Sequence, residues 1–185
     1  MRRLLLLCGL VLCMSRSAMA QQTPKFELFG GYSLMRADFD VTNPNMNGWN
    51  ASLAGNVNKW VGLVADFGGH YETPTILGVD VDVRRHLFLF GPRVSFRQSA
   101  KATPFVQALF GVVHDRVKVL GVAATDTSLG MALGTGVDVR VIDWEGANVA
   151  FRLFQAEYVM TRFSDQTQNN IRLSFGFVFR FGKRK

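Results

Sequence analysis

Beyond residue 13 the chain contains no cysteine. The two it has, Cys8 and Cys13, lie in the opening stretch MRRLLLLCGLVLCMSRSAMA. That stretch has a basic start at Arg2 and Arg3, an apolar run from Leu4 to Met14, and small residues at Ala18 and Ala20 just before Gln21. This is the layout of a cleaved secretory signal peptide over residues 1–20. Leucines, not small residues, precede both cysteines, so a lipid anchor is not expected. The rest of the chain therefore forms no disulfide and offers no thiolate to a substrate or a metal. Long apolar runs are missing as well. The signal's run falls short of the roughly 20 residues that a spanning helix requires, and nothing after it approaches that length or shows a helical period. A strongly charged body is also absent. The formal net charge is +7, but Arg2, Arg3 and Arg16 belong to the signal and Lys183, Arg184 and Lys185 are gathered at the C-terminus. What lies between is close to neutral, so nucleic acid is not an expected partner.

What is present is alternation with a period of two, the mark of strands with two unlike faces. It recurs in eight segments: 26–36, 49–58, 60–71, 85–97, 104–114, 128–141, 149–160 and 170–181. Short connections (59, 98–103, 143–147) alternate with longer ones (37–48, 72–84, 115–127, 161–169), as they must when each strand reverses direction. Residues 21–185 read as one domain, ending in the strand 170–181 and a basic tail, 182–185.

Alternation alone does not say which face meets water. One parity is strongly apolar, as in Phe175, Phe177, Phe179 and Phe181 of the last segment. The other carries Glu27, Asp66, Asp138 and Glu157 against Arg93, Arg97, Arg140, Arg172 and Arg180, interleaved with glycines. Lysine, which a soluble barrel would show on its wet face, is absent from all eight segments, and Lys59 and Lys101 sit at short turns. Near-balanced acids and arginines suit a narrow interior in which charges must pair, and apolar residues then face lipid. Trp60, Trp144, Phe96 and Phe105 at the short turns, with Trp49 and Tyr71 near the long loops, fit aromatic girdles at the two interfaces. The expected fold is all-β, an eight-stranded antiparallel transmembrane up-and-down β-barrel following a cleaved signal peptide, its interior filled by an ion-pair network. Arg152 breaks the pattern by falling on the apolar parity. Either it reaches an interface from near a short turn or a bulge turns it inward.

The last segment has a further property. Ser174, Gly176, Phe179 and Phe181 fit polar-x-Gly-x-x-aromatic-x-aromatic, which resembles the β-signal read by the outer-membrane assembly machinery. With segments such as LVADFGGHY, LFGPRVSFR and GMALGTGVDVRV, the chain from Phe26 to Phe181 resembles the small outer-membrane β-barrel family, the OmpA-like and OmpX-like barrels. The resemblance implies a Gram-negative outer-membrane location with both termini periplasmic. It also implies biogenesis through periplasmic chaperones and the barrel assembly machinery, and contact with outer-membrane lipids and lipopolysaccharide. It implies no enzyme and no cofactor. The pattern is departed from in one respect, since Gly182, Lys183, Arg184 and Lys185 follow the terminal aromatic.

Three groups of residues are candidates for chemistry. His70, His86 and His114 fall at strand ends on the long-loop side, and His114 with Asp115, Thr127 and Ser128 is the nearest approach to a nucleophilic set. Their parities disagree, with His70 inward and His86 and His114 outward, so neither a catalytic nor a metal site is expected. Gly134 and Gly136 precede no helix and do not make a phosphate loop. Charged residues between strands, including Asp82, Arg84, Arg116 and Lys118, suit surface recognition without naming a ligand. The expected role is structural or in surface interaction, with a lipid A-modifying enzyme and a narrow gated channel as the alternatives.

Overall fold

The computed structural model describes residues 23–36, 45–76, 78–99, 101–163 and 166–183. The expected signal peptide and the last two residues of the tail lie outside them. Eight long strands make up the described chain: β1 (Pro24–Arg36), β2 (Asn45–Asn56), β3 (Val61–Glu72), β4 (Val79–Ser95), β5 (Ala102–Val119), β6 (Val122–Trp144), β7 (Ala147–Phe163) and β8 (Gln166–Lys183). Each pairs antiparallel with the next. β1 also pairs antiparallel with β8, Leu28 opposite Phe179, and this closes the ring. A two-residue segment, Thr75–Ile76, folds back on the start of β4.

Alternation decides which side chains point into the ring. On β8, Arg172, Ser174, Val178 and Arg180 are buried, while Phe177 and Phe179 are 52% and 51% exposed. The same inversion holds round the barrel, with Leu28, Leu53, Leu63, Phe90, Phe110, Leu133 and Tyr158 outward and charged side chains inward. An outer wall of large exposed apolar groups is stable only against an apolar solvent, so the wall faces lipid. Closure follows, because lipid offers backbone groups no hydrogen bonds and an open sheet edge would go unsatisfied.

The strands on one side are longer than the alternation indicates. Residues 115–127 do not form a loop. β5 and β6 run on to a tight turn at Leu120 and Gly121, with Val119 paired to Val122. Past the apolar wall the alternation inverts, with Val81, Val83 and Val117 on the inner parity and Asp82, Arg84, Arg116 and Lys118 on the outer, and the ladder continues. The last strand is longer too, running from Gln166 to Lys183.

Two local features shape the barrel. At the closing seam Gly31 stands directly opposite Gly176. A Cβ on Gly31 would lie 2.1 Å from the Phe175 carbonyl oxygen, and one on Gly176 2.3 Å from that of Gly30, so only glycines allow β1 and β8 this approach. On β7 the register shifts between Arg152 and Gln155, and Leu153 and Phe154 both face outward in succession. This bulge settles the two readings of Arg152: it turns inward and is fully buried.

Candidate functional site

The interior at the short-turn end is one continuous polar chain. Glu27 accepts hydrogen bonds from Arg97 and, at 2.8 Å, from Asn56, and it pairs with Arg180 Nε at 3.4 Å. Arg180 Nη2 donates to Asp138 at 2.9 Å, and Arg152 Nε donates to the other Asp138 oxygen at 2.7 Å. Arg152 also donates to Gln155, whose Nε2 donates to Glu157 at 2.8 Å. Arg172 then bridges Glu157 and Asp66, donating to each at 2.7 Å. Asn50 Nδ2 reaches both Asp66 oxygens at 3.0 Å. Of the charged interior residues singled out from sequence, this chain joins Glu27, Asp66, Arg97, Asp138, Glu157, Arg172 and Arg180.

Two of them sit elsewhere. Arg93 is buried, but it donates to Gln107 at 2.8 Å and lies over the Phe105 ring at 4.5 Å, with no carboxylate within salt-bridge distance among the described residues. Arg140 does not enter the chain. The register shifts between Arg140 and Ile142, and its guanidinium turns to Asp143, at 3.4 Å, at the strand's end.

Phe105 corrects the reading of a girdle residue. It is buried in the interior, stacked against both Arg93 and Arg152. Phe29 covers the other side of Arg152, 4.2 Å from its Cζ. The Arg152 guanidinium is thus held between two aromatic rings while its edge donates to Asp138 and Gln155. The signal for Phe29 and Phe105 was parity: Phe29 shares that of Glu27, and Phe105 that of Gln107. Their apolar character concealed it.

Above the polar chain, Met35, Met46, Leu87, Leu89, Leu109 and Val113 form an apolar layer inside the barrel. Beside it His70 Nε2 meets Ser33 Oγ at 2.9 Å, and Ser33 meets Ser174 at 2.8 Å. Beyond the layer Arg85 and Asp115 pair at 2.6 Å, with Arg85 also donating to Asn170 and Gln168. The residues imagined as a nucleophilic set are parted by the sheet. His114 and Thr127 hydrogen-bond at 2.8 Å on the outer face, whereas Asp115 and Ser128 are buried inside.

Ser174, Gly176, Phe179 and Phe181 all lie on β8 along its seam with β1. Ser174 and Gly176 face in, and Phe181 packs on Phe26 with ring centroids 5.7 Å apart.

The second distinctive region is the extended end of β4, β5 and β6. Pairing of β6 with β7 begins at Leu129, so Val122 to Ser128 pair with β5 alone among the described residues. The projection is about 20 Å long. At its tip Leu120 has φ 49° and Gly121 φ 87°. A leucine in the left-handed region costs roughly 1–2 kcal/mol, and this one is 82% exposed.

The family described as "Outer membrane protein beta-barrel domain" matches residues 4–181. Among solved structures, the fold is similar to Neisserial surface protein A, with a TM-score of 0.68 at 14% identity over 85% of this chain and 97% of that one. It is similar to Ail of Yersinia pestis, with a TM-score of 0.56 at 16% identity over 85% and 99%. Ail has also been solved in complex with the heparin analogue sucrose octasulfate. OprG from Pseudomonas aeruginosa gives 0.51 at 12% identity over 86% and 97%. No curated protein sequence matches the chain.

Proposed function

Because the chain belongs to the outer membrane protein β-barrel domain family, we propose that it is a sealed outer-membrane barrel that presents the extended β4–β5–β6 end to the cell exterior as an interaction surface. The observation that carries this is the hairpin tip. A strained, exposed leucine stands where glycine or asparagine would fit without cost, beside Val122, which is also exposed. Strain kept at an exposed tip fits use of that tip. The open edge of β6 adds unpaired backbone groups, a ready template for strand addition by a partner. In this reading residues 1–20 are a signal removed on export, both termini are periplasmic, and lipopolysaccharide surrounds the extended end. Ser174, Gly176, Phe179 and Phe181 serve as the assembly signal, read by the barrel assembly machinery after chaperones deliver the chain.

The role is non-enzymatic. The hydroxyl and imidazole groups of the interior are buried away from any lipid, and the outward His114 meets a threonine hydroxyl alone among the described residues. The lumen is closed in two layers, by the guanidinium–carboxylate chain and by the apolar layer above it, which leaves an eight-stranded ring no aqueous path.

Placement is tested with cysteines, since the exported chain has none. Ala123→Cys is expected to react with a membrane-impermeant maleimide on intact cells, and Glu145→Cys, at the opposite end, only after lysis. Labelling in the reverse order would overturn the placement. Sealing is tested in planar bilayers. Refolded protein is expected to give no conductance steps, and reproducible steps would show an open lumen.

A further inference from the structure

The outward face of the extended end carries a charge arrangement that the barrel itself does not balance. Moving away from the apolar wall, the cross-strand rows of β4, β5 and β6 are Phe88–Val112–Leu129, then His86–His114–Thr127, then Arg84–Arg116–Thr125, then Asp82–Lys118–Ala123. The first row is apolar and exposed. The third sets two arginines directly opposite each other, an arrangement that disfavours strand pairing. Asp82 is the nearby acid, and it is committed to Arg84, accepting from Nε at 3.1 Å and Nη2 at 2.8 Å. Those hydrogen bonds hold its carboxyl below the ordinary range. Arg116 and Lys118 have no ion-pair partner among the described residues. Asp82, Arg84, Arg116 and Lys118 together line a polar depression on this face.

Height decides what kind of anion fits. The arginine row lies four residues beyond the Phe88 row, about 13 Å along the strands and roughly 10 Å in height at a tilt near 40°. The edge of the apolar wall falls between the Phe88 and His86 rows. The polar layer flanking a bilayer core is about 5–8 Å deep on each side, which puts both guanidinium groups within it. Two interfacial aromatics mark the same level: Tyr71 is paired with Arg84, and Trp49 donates to the Tyr71 hydroxyl at 3.4 Å. A soluble anion has no reason to be met so close to the wall, whereas the phosphate of a lipid is held there.

We propose that this face is a binding site for the phosphate group of an outer-leaflet lipid. Arg84 and Arg116 supply the guanidinium donors and Lys118 reaches in from the row above. The lipid's acyl chains pack on Phe88, Val112 and Leu129 below. The site rests on the membrane placement proposed above.

The test uses the full refolded chain in micelles and native mass spectrometry. The probes are lipid A carrying its phosphates, the same lipid after phosphate removal, inorganic phosphate and heparin. The native chain is expected to retain the phosphorylated lipid and to lose it with the phosphate. The Arg84→Ala/Arg116→Ala variant is expected to retain about tenfold less, while its shifted gel mobility before boiling shows an intact barrel. Equal retention by the variant, or of the dephosphorylated lipid, would overturn the site. So would complete displacement by inorganic phosphate or by heparin, which would mark a site for free anions or for soluble polyanions. The Ala123→Cys label, carried in the same variants, reports placement separately. Exterior labelling without lipid retention sinks the site alone, and retention without exterior labelling sinks the placement alone.

Discussion

Arg172→Met is expected to destabilise the folded barrel by about 3–5 kcal/mol, the range for removing one partner of a buried ion pair. Arg172 is fully buried and is the bridge between Asp66 and Glu157. Without it two carboxylates remain in the interior with only amide donors: Asn50 on Asp66, and Gln107 and Gln155 on Glu157. Methionine fills much of the lost volume, so the effect reads charge and not a cavity. The measurement is urea unfolding of refolded protein, followed by tryptophan fluorescence and by gel mobility without boiling. Adding Asp66→Asn and Glu157→Gln to the same chain is expected to return most of the loss, because neutral amides tolerate burial without a cation. A single variant within about 1 kcal/mol of the native chain would show that the bridge does not hold the interior.

The second large effect is at the closing seam. Gly176→Val is expected to cost about 3 kcal/mol, at the upper end of what inserting atoms into a packed region costs. The obstacle is backbone, since the new Cβ meets the Gly30 carbonyl oxygen and the Gly31 Cα. No rotamer relieves that contact, and β1 and β8 must move apart to admit the side chain. Refolding yield and the boiling-dependent gel shift measure it directly. Gly30→Ala is the matched control on the neighbouring position, where a Cβ would meet nothing within 4 Å. A Gly176→Val barrel that refolds as well as the Gly30→Ala barrel would dismiss the close approach as a constraint.

The barrel was legible because lipid imposes a rule that sequence displays openly. Phe175, Phe177, Phe179 and Phe181 against Arg172, Ser174 and Arg180 is the rule in one strand, and eight repeats of it leave little choice of fold. Three things were hidden. In the extended end the alternation reverses, valines inward and charges outward, so Arg116 and Lys118 looked like loop residues although they continue a ladder. Phe29 and Phe105 were hidden by chemistry, since an aromatic inside a charged lumen runs against the pattern that reveals the lumen. Arg140 and Arg152 exchanged roles because each lies beside a register shift, and one extra residue reverses every side chain after it. Pairing partners across the interior were not legible at all, because alternation gives a side chain's direction and not its height.

The bridge from Arg172 to Asp66 spans 106 residues of sequence, and the contact of Arg97 with Glu27 spans 70. No hairpin contains both ends of either pair, since Arg172 lies on β8 and Asp66 on β3, and Arg97 follows β4 while Glu27 lies on β1. Hairpins suffice for Arg152 with Asp138, Arg172 with Glu157 and Arg85 with Asp115. Until β8 meets β1, however, Glu27 stands apart from Arg180, and Asp66 from Arg172, on a sheet whose other face already seeks lipid. Such a sheet has no favourable resting place, neither in water nor in the bilayer. The interior therefore acts on the order of events as well as on the final state, holding back its longest-range pairs until the ring is complete.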